Sequence, residues 1–448
     1  MTESRRAPAP RVARTIATAV AAAVAIVLLA ATGSPAIEFN GYFQAGAAVR
    51  MKGSPDAVIY NRQLANFKLE AEPYERTYLR FEADVWNDLP SFHDGSKVRS
   101  RLREGYLRYG FENLDLKIGR QQIAWGQADG IIVADQVSPF DLENFIVPKF
   151  DEIRLGVDAL QLTYYFDSGR ELELLYIAQF QSPDFPEDDS PWRFVTDDQL
   201  DAIAESLGVP VPPSIRIGGT DSPPDGLDHG EGGIRFKSYD RIADWAIGYL
   251  YSWDDRPYLY IDPAAGLATP THERYHLITA HVVAPAGPAL LKLESALELD
   301  RRLNAFNPGT ANDGFASKEN VWRTLIGADF KPQVPYWEQP DAGIQLIVDK
   351  VFSPESGLVT EEDAFLASLR LSAAYRNETI KPWILLIGGL RGESTWLQTR
   401  VDYEPVDNWR FTVEADLFFG HAYDGDNGGI YGSFHANDFV GASVRWSF

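Results

Sequence analysis

The sequence predicts an all-β protein, a transmembrane antiparallel up-and-down β-barrel of about 18 strands with long extracellular loops and short periplasmic turns. Three observations lead to this prediction. An apolar run follows a cluster of arginines near the N terminus, and segments of about ten residues alternate in polarity along the rest of the chain. The chain then ends on one such alternating segment, with Phe448 as its last residue.

The first predicted element is a secretory signal peptide at residues 1–36. Arginines up to Arg14 precede residues 16–31, which contain only Ala, Val, Ile, Leu and Thr, and Ser34-Pro35-Ala36 supplies a small-x-small cleavage pattern. This run of about sixteen residues is shorter than the roughly twenty that a spanning helix needs, so an N-terminal membrane anchor is the weaker alternative. We expect export through the Sec pathway, cleavage after about Ala36 and a barrel formed by residues 37–448.

The strands follow from a two-residue alternation. In the last segment Val440, Val444 and Trp446 alternate with Ser443 and Arg445. Successive side chains of a strand face opposite sides of the sheet, so such segments fit lipid on one side and water on the other. A helix with this pattern would carry charges all round its surface. The predicted strands are 37–50, 63–72, 77–87, 101–111, 114–122, 157–166, 170–181, 231–238, 243–253, 273–284, 289–300, 320–330, 342–352, 365–376, 381–391, 395–403, 409–420 and 438–448.

The predicted connections alternate between short and long, as in a membrane barrel. The short turns, rich in Pro, Gly, Asn, Asp and Ser, are 73–76, 112–113, 167–169, 239–242, 285–288, 377–379 and 404–408. The long connections are 51–62, 88–100, 123–156, 182–230, 254–272, 301–319, 353–364 and 421–437. Segment 331–340 is long for a turn and 392–394 is short for an outer loop, so either a strand is misplaced or these hairpins are atypical. A soluble β-sandwich also alternates, but it requires neither strands of lipid-spanning length nor a terminal aromatic residue.

Composition excludes several classes of function. A net charge of −23 would repel phosphates, so nucleic-acid binding is excluded. The absence of cysteine excludes disulfides, thiolate metal sites and cysteine nucleophiles. We expect no cofactor and no resident metal.

Charged residues are frequent on the side of the strands that we expect to face the lumen. They are solvated by a water-filled lumen, or they form cross-strand ion pairs that only stiffen the wall. The predicted pore-lining residues are Arg80, Glu82, Asp84, Glu104, Arg108, Lys117, Gln121, Arg323, Asp329, Arg370, Arg400 and Arg445.

The connection 123–156 is the most distinctive segment, and together with the preceding strand end it carries a recognisable motif. The motif combines Gly119-Arg120-Gln121 with Trp125-Gly126, followed by an acidic and Pro-containing stretch that includes Asp129, Asp135, Pro139 and Asp141. With this G-R-Q-x-x-x-W-G-x-x-D pattern the chain resembles an uncharacterised family of porin-like outer-membrane proteins of Gram-negative bacteria. It is more loosely similar to alginate-export porins. The resemblance implies an outer-membrane channel for hydrophobic or bulky organic solutes.

We expect this connection to bend inward and narrow the lumen, because it follows a strand and contains the Pro and Gly residues that tight turns need. An outer loop packed on the rim is the alternative. Arg120 shares the parity of Leu116 and Ile118, which should face lipid, so either a bulge turns it inward or it lies above the hydrocarbon. The predicted constriction residues are Arg120, Trp125, Asp129, Asp135, Asp141 and Arg154.

Two weaker signals lie in other connections. In 182–230, apolar residues at helical spacing within 196–208 predict a short helix that caps the pore, plugs it or packs on the rim. Residues 424–428 space oxygen ligands like a calcium loop, but the later Glu of an EF-hand is missing, so an ordinary surface turn is favoured.

The predicted function is a channel for passive, selective diffusion of small organic or hydrophobic solutes. An adhesive or structural barrel with a plugged lumen is the alternative. A hydrolase is disfavoured, because the sequence has no G-x-S-x-G elbow and His276 and His281 have opposite strand parity. The expected partners are outer-membrane lipid and lipopolysaccharide, the barrel-assembly machinery acting on the Phe448 strand, and a small-molecule solute.

Overall fold

The computed structural model describes residues 36–52, 58–91, 96–128, 130–150, 152–166, 169–187, 190–194, 216–262, 264–307, 309–391, 394–420 and 429–448. These residues form strands joined by turns and irregular connections, with three short 3₁₀ helices. The strands are β1 Ala36–Arg50, β2 Val58–Tyr74, β3 Thr77–Asp88, β4 Lys97–Gly110, β5 Leu114–Gln121, β6 Val157–Phe166, β7 Arg170–Ile177, β8 Arg216–Ile217, β9 Glu231–Tyr239, β10 Asp244–Trp253, β11 Tyr258–Asp262, β12 Leu267–Thr271, β13 Arg274–Ala286, β14 Ala289–Asn304, β15 Ala316–Phe330, β16 Asp341–Phe352, β17 Asp363–Ser372, β18 Ile380–Gly389, β19 Ser394–Tyr403, β20 Trp409–Gly420 and β21 Phe439–Ser447.

Eighteen of these strands form one closed antiparallel sheet. Each pairs with the next barrel strand along the chain, and β1 pairs with β21 from Tyr42 opposite Ser447 to Arg50 opposite Phe439. The cylinder therefore has no free edge, and the predicted fold class and strand number are confirmed. The remaining strands, β8, β11 and β12, form a small separate sheet within the long connections, which the sequence did not predict.

The two faces of the sheet have opposite character. Outward apolar side chains are well exposed, for example Phe39 at 59%, Ile326 at 59% and Val413 at 58%. Inward neighbours include carboxylates such as Glu298 and Asp416, which are fully buried. The exposed side of the cylinder is thus an apolar surface of the kind that hydrocarbon solvates.

The connections at the two ends of the barrel differ in length, as predicted. The two connections that do not fit the alternation of short turns and long loops, 331–340 and 392–394, do not result from misplaced strands. The pairing of β15 with β16 runs without a register shift from Asn320 opposite Phe352 to Phe330 opposite Ala342. The pairing of β18 with β19 is equally regular. Neither strand pair is misplaced, so the hairpins at 331–340 and 390–393 are atypical.

Aromatic side chains gather on the outer surface near the short turns. They border the turns that follow β4, β6 and β19, and they continue onto the last strand. The exposed members are Tyr109, Phe111, Tyr164, Phe166, Tyr403, Trp409, Phe411 and Trp446. A belt of this kind is typical of the level at which a barrel meets the headgroups of a bilayer.

Several predicted features cannot be compared with the structure. Residues 1–35, the predicted helix within 196–208, and the loop at 424–428 lie outside the described residues. Among the residues that are described, no helix is long and apolar enough to cross a membrane.

The seam between the first and last strands ends on Phe448. Its backbone nitrogen donates to the carbonyl oxygen of Gly41 at 3.0 Å, and the Gly41 nitrogen donates back at 3.1 Å. The Phe448 ring lies 5.6 Å from the rings of Phe39 and Phe43 and 6.5 Å from that of Phe67. The terminal residue therefore joins three aromatic side chains of β1 and β2 across the seam.

Replacing Phe448 with Ala should lower the stability of the folded barrel by about 1.5–4.5 kcal/mol, since each of the three aromatic pairs contributes roughly 0.5–1.5 kcal/mol. The measurement is the fraction that keeps the mobility of the folded barrel on an unboiled gel as denaturant rises. Phe419→Ala, at an outward position of β20 away from the seam, is the control. Equal losses in the two variants would contradict a special role of the seam cluster.

Candidate functional site: the segment inside the barrel

The connection between β5 and β6, residues 122–156, lies inside the cylinder. Its Trp125 side chain is almost completely buried against the inner wall. A β-carbon added at Gly233 on β9 would lie 3.1 Å from the indole ring, and one added at Gly248 on β10 would lie 2.9 Å from it. The ring therefore rests directly on two strand backbones, and no larger residue fits at either glycine without displacing it.

The first half of this inner segment packs against one side of the wall. Ile123, Trp125, Val133 and Val137 form a buried apolar cluster with inward side chains of β6, β7, β10 and β13 to β16. The sequence pattern predicted charged inward positions, but at this level apolar inward side chains lie between the charged ones. Because the segment covers these side chains, they are shielded from water as in a protein core.

Charged wall residues satisfy the backbone of the inner segment. The Glu294 carboxylate on β14 accepts hydrogen bonds from the backbone nitrogens of Gln127 at 2.6 Å and Ala134 at 2.7 Å. Arg235 on β9 donates to the carbonyl oxygens of Ala124 and Trp125 at 3.3 and 3.2 Å. Irregular backbone buried in this way needs such partners, because an unpaired buried polar group is costly.

The inner segment is also held by contacts within itself. The Asp135 carboxylate accepts a hydrogen bond from the Trp125 backbone nitrogen at 3.1 Å and pairs with Arg154. Arg154 lies 5.1 Å from the centre of the Phe140 ring, and Phe140 and Arg154 form an isolated backbone bridge. Three predicted constriction residues, Trp125, Asp135 and Arg154, are thus brought together, whereas Asp129 lies outside the described residues.

The second half of the segment crosses to the opposite wall. Phe145 and Val147 pack with inward residues of β18 to β20 in a second buried cluster. Two other connections enter this cluster, since the Phe145 ring lies 4.6 Å from Phe434 and 6.0 Å from Trp192. Three connections that are distant in sequence therefore meet inside the barrel.

Ion pairs fix this second half to the wall at three points around the lumen. Asp141 pairs with Arg101 on β4 at 2.7 Å. Lys149 lies 3.4 Å from the Asp402 carboxylate on β19, and Glu152 pairs with Arg445 on β21 at 2.6 Å. Burial and the nearby Arg400 lower the pKa of Lys149.

A cluster of acidic side chains contacts β4 near the N-terminal end of the strand. Arg99 pairs with Glu143 and, at 2.7 Å, with Glu187, while Arg101 also pairs with Asp184. Burial raises the pKa of Glu143 and of Asp184, although the neighbouring arginines act in the opposite direction.

Arg99, Arg101 and Arg103 of β4 were missed by the sequence analysis because a β-bulge changes the side-chain parity of that strand. The register between β3 and β4 shifts between Glu82 and Ala83, so that Arg103 and Glu104 both face inward. Arg103 donates to the Glu152 carbonyl oxygen at 2.8 Å and pairs with Asp84 at 3.2 Å. Simple alternation from Glu104 would have placed Arg101 and Arg103 on the lipid side.

The predicted pore-lining residues face inward, and many of them pair with one another. Arg80 bridges Glu82 and Glu104 at 2.6 Å each. Further along the wall Asp329 pairs with Lys292 at 2.5 Å and Arg370 at 3.3 Å, and Arg323 pairs with Asp349 at 2.7 Å. These contacts form the cross-strand ladders that the sequence analysis held open as the alternative to solute contact.

Within the part of the chain that the structure describes, three other predicted pore-lining residues contact aromatic rings or the backbone instead of carboxylates. Arg108 lies 5.3 Å from the Tyr78 ring centre and Lys117 lies 3.9 Å from that of Tyr106. Gln121 is fully buried and donates to the Ala159 carbonyl oxygen at 3.0 Å. Gln121 therefore holds the β5–β6 pair at the base of the inner segment.

Arg120 is not part of the constriction loop. It is in β5, opposite Asp158 in a β5–β6 register that continues without a shift from Leu114 to Gln121. No bulge turns it inward, so it keeps the parity of the exposed Ile118. Its guanidinium pairs with Asp158 at 3.4 Å and with Gln181. Of the two alternatives for Arg120, the unshifted register excludes the bulge and leaves a position at the end of the strand, so the structure does not place this side chain in the constriction.

Two of the cavities beside the inner segment differ in chemistry. The polar cavity, of about 80 Å³, lies between the segment and β1 to β4, β20 and β21. The aromatic cavity, of about 270 Å³, lies between the segment and β17 to β19. Pro148, Lys149 and Ile153 line both, so the second half of the segment separates them. Of the predicted pore-lining residues, Asp84 and Arg445 line the polar cavity, and Arg370 and Arg400 line the aromatic cavity.

The two strand histidines lie on opposite faces. His276 is paired outside with the Tyr249 hydroxyl at 2.7 Å, whereas the buried His281 lies inside, 3.4 Å from Arg235. Within the described part of the chain, no group of three or more His, Cys, Asp or Glu side chains is placed to hold a metal ion.

Comparison with known proteins gives a family and a fold. A family model described as "Protein of unknown function (DUF1302)" matches residues 26–298, more than half of the chain. No curated protein matches the chain significantly.

Solved structures similar to this chain include OccAB1 of Acinetobacter baumannii, with a TM-score of 0.52, 11% identity and coverage of 92% of this chain and 96% of that chain. OccAB3 of the same organism gives a TM-score of 0.51 and 9% identity over 92% and 99% of the two chains. The outer membrane channel DcaP of that organism gives a TM-score of 0.43 and 10% identity over 92% and 97%. At these identities the first two show a shared barrel fold. The proposed likeness of the motif to other porins, including alginate-export porins, stays a prediction.

Replacing Glu294 with Ala should loosen the inner segment while the barrel stays closed. The backbone N–H groups of Ala134, in a buried hydrogen bond, and of Gln127, in a partly buried one, lose their acceptor, at a cost of about 1–3 kcal/mol for the buried group. We expect amide hydrogen exchange at Gln127 and Ala134 to accelerate by at least roughly tenfold, since about 1.4 kcal/mol corresponds to a factor of ten.

The matched control is Glu171→Ala on β7, an ion-pair partner of Lys237 on the neighbouring strand. It should leave exchange at those two amides unchanged. Unaltered exchange in the Glu294 variant would show that the carboxylate does not anchor the segment.

Proposed function

Because the chain belongs to the DUF1302 family, whose function is unknown, we propose its function from its own geometry: it is an outer-membrane channel for passive, selective diffusion of small organic or hydrophobic solutes. The apolar outer surface and the aromatic belt near the short turns support a location in a membrane. The fold shared with OccAB1 and OccAB3 is consistent with this proposal.

The observation that carries the proposal is the division of the lumen by the inner segment. An eighteen-strand cylinder is wide enough to hold water, and a polar cavity and an aromatic cavity lie beside the segment that enters it. A fixed constriction selects solutes by width and by the field of its lining charges, without chemical change. We therefore infer a transport role and propose no catalytic role.

The buried clusters around Phe145 and Trp192 favour a second candidate function, an adhesive or structural barrel with a plugged lumen. Apolar packing between connections and wall is what a permanent plug requires. Measurement of ion current separates the two functions, since a plugged barrel conducts nothing.

The proposed cellular context follows from the sequence. Residues 1–36 would direct Sec export and be removed, and the β21 strand with its terminal Phe448 would be presented to the barrel-assembly machinery. Lipid and lipopolysaccharide would contact the outer surface, and the only ligand would be the diffusing solute.

The purified protein should produce steady current steps in a planar lipid bilayer, and Ser443→Trp should reduce their size. Ser443 on β21 lines the polar cavity, so a bulky ring there narrows one passage. We expect single-channel conductance to fall by about a third or more, with the remaining current carried by the other passage.

The control is Val444→Trp, the adjacent residue on the opposite face of the same strand. It should leave the current unchanged. A silent bilayer with a correctly folded, heat-modifiable protein would overturn the channel proposal in favour of the plugged barrel.

A further inference from the structure

The aromatic cavity combines an apolar wall with positive charge. Its lining includes the rings of Phe145 and Phe150 from the inner segment and of Trp383 and Trp396 from β18 and β19. Aliphatic side chains such as Leu385 complete the apolar part. Such a surface favours a flat apolar solute, because ring faces pack against each other and exclude water.

Among the described residues, every charged residue that lines the aromatic cavity is a cation. These residues are Lys149, Arg370 and Arg400. The polar cavity differs, since its lining includes six cations and four carboxylates. Within a chain of net charge −23, the aromatic cavity is therefore a local region of positive potential.

Carboxylates outside the described cavity lining neutralise part of this charge, since Asp329 and Asp341 pair with Arg370. Asp402 lies 3.4 Å from Lys149 and 3.9 Å from Arg400, and it accepts a hydrogen bond from the Thr412 hydroxyl at 2.5 Å. Asp402 thus holds two of the cations in place without offering its own charge to a solute in the cavity.

Arg400 retains an unused donor. Its Nε is buried and has no hydrogen-bond acceptor among the described residues, because the 3.9 Å separation from Asp402 is too long for a hydrogen bond. The guanidinium carbon lies 4.6 Å from the centre of the Trp383 ring, so the group is held against an aromatic face. A buried donor of this kind is satisfied when an anionic oxygen approaches it.

We propose that the aromatic cavity is a selectivity site for monocarboxylates with an aromatic or comparably apolar body, the carboxylate meeting Arg400 and the ring lying among Trp383, Trp396 and Phe145. The volume is adequate, because an engineered apolar cavity of about 150 Å³ holds a benzene ring and this one measures about 270 Å³. The inference rests on the proposed channel function and names its preferred solute class.

The test measures uptake of benzoate, benzyl alcohol, benzylamine and acetate into liposomes that contain the full-length barrel. Benzoate should enter faster than benzylamine, which the three cations repel. When each uptake rate is divided by the diffusion coefficient of that solute in water, the value for benzoate should also exceed the value for acetate, because acetate lacks the ring. Benzoate should in addition interrupt the single-channel current as it occupies the site.

Arg400→Gln should reduce the benzoate-to-benzyl alcohol uptake ratio by roughly three- to tenfold, because a charge-assisted hydrogen bond is replaced by a neutral one. Asp402 keeps Lys149 and Thr412 as partners in this variant, so the wall should still fold. Trp383→Leu should instead reduce the benzoate-to-acetate ratio while leaving the discrimination against benzylamine intact.

The control is Arg302→Gln on β14, an arginine that pairs with Glu273 at 3.4 Å. It removes the same charge from another part of the wall and should leave both uptake ratios unchanged. An unboiled gel verifies that each variant is folded.

The outcomes are distinguishable. Ion current without a preference for benzoate, or an equal effect of Arg302→Gln and Arg400→Gln, would overturn the solute assignment and leave the channel intact. Absence of current and of uptake for all four solutes would overturn the channel proposal itself.

Discussion

The width of the cylinder is the constraint on which the rest of the structure depends. Eighteen antiparallel strands close on themselves, and the inward side chains of so wide a sheet cannot reach one another across the lumen. Additional chain must enter if any part of the interior is to be packed. The β5–β6 connection supplies it, and its irregular backbone is tolerated because Glu294 and Arg235 serve as fixed polar partners. Charged residues of the wall therefore have a structural role, which is to hydrogen-bond the backbone of the inner segment, whether or not a solute is present.

The local features of the fold could be predicted from sequence because they depend on neighbouring residues. Alternation such as that of Val440 to Trp446 fixes which side of a strand faces out, and the positions of short turns fix the strand order. The strand number and the closed antiparallel topology follow from this information alone. Even the two irregular hairpins were marked by their lengths.

Features that depend on contacts distant in sequence were beyond the sequence analysis. The inward placement of Arg101 and Arg103 depends on a single bulge, which carries no residue signature in β4. Arg120 pairs with its cross-strand neighbour Asp158, but it reaches Gln181 only because the connection after β7 folds over the strand end. The composition of the aromatic cavity is set by which wall strands face residues 145–153, and no local pattern encodes that pairing. A single parity rule thus identified the inner wall but not which parts of it are apolar, paired or available.

Glu152 ties the interior to the seam. Its carboxylate pairs with Arg445 on the final strand, and its carbonyl oxygen accepts a hydrogen bond from Arg103 on β4. β21 completes the cylinder by pairing with β1. The contact with Arg445 requires both a closed wall and a segment that occupies the interior, so the two features stabilise each other. A cylinder with an empty interior would lack this ion pair at its seam, and the inner segment is therefore part of what keeps the wall closed.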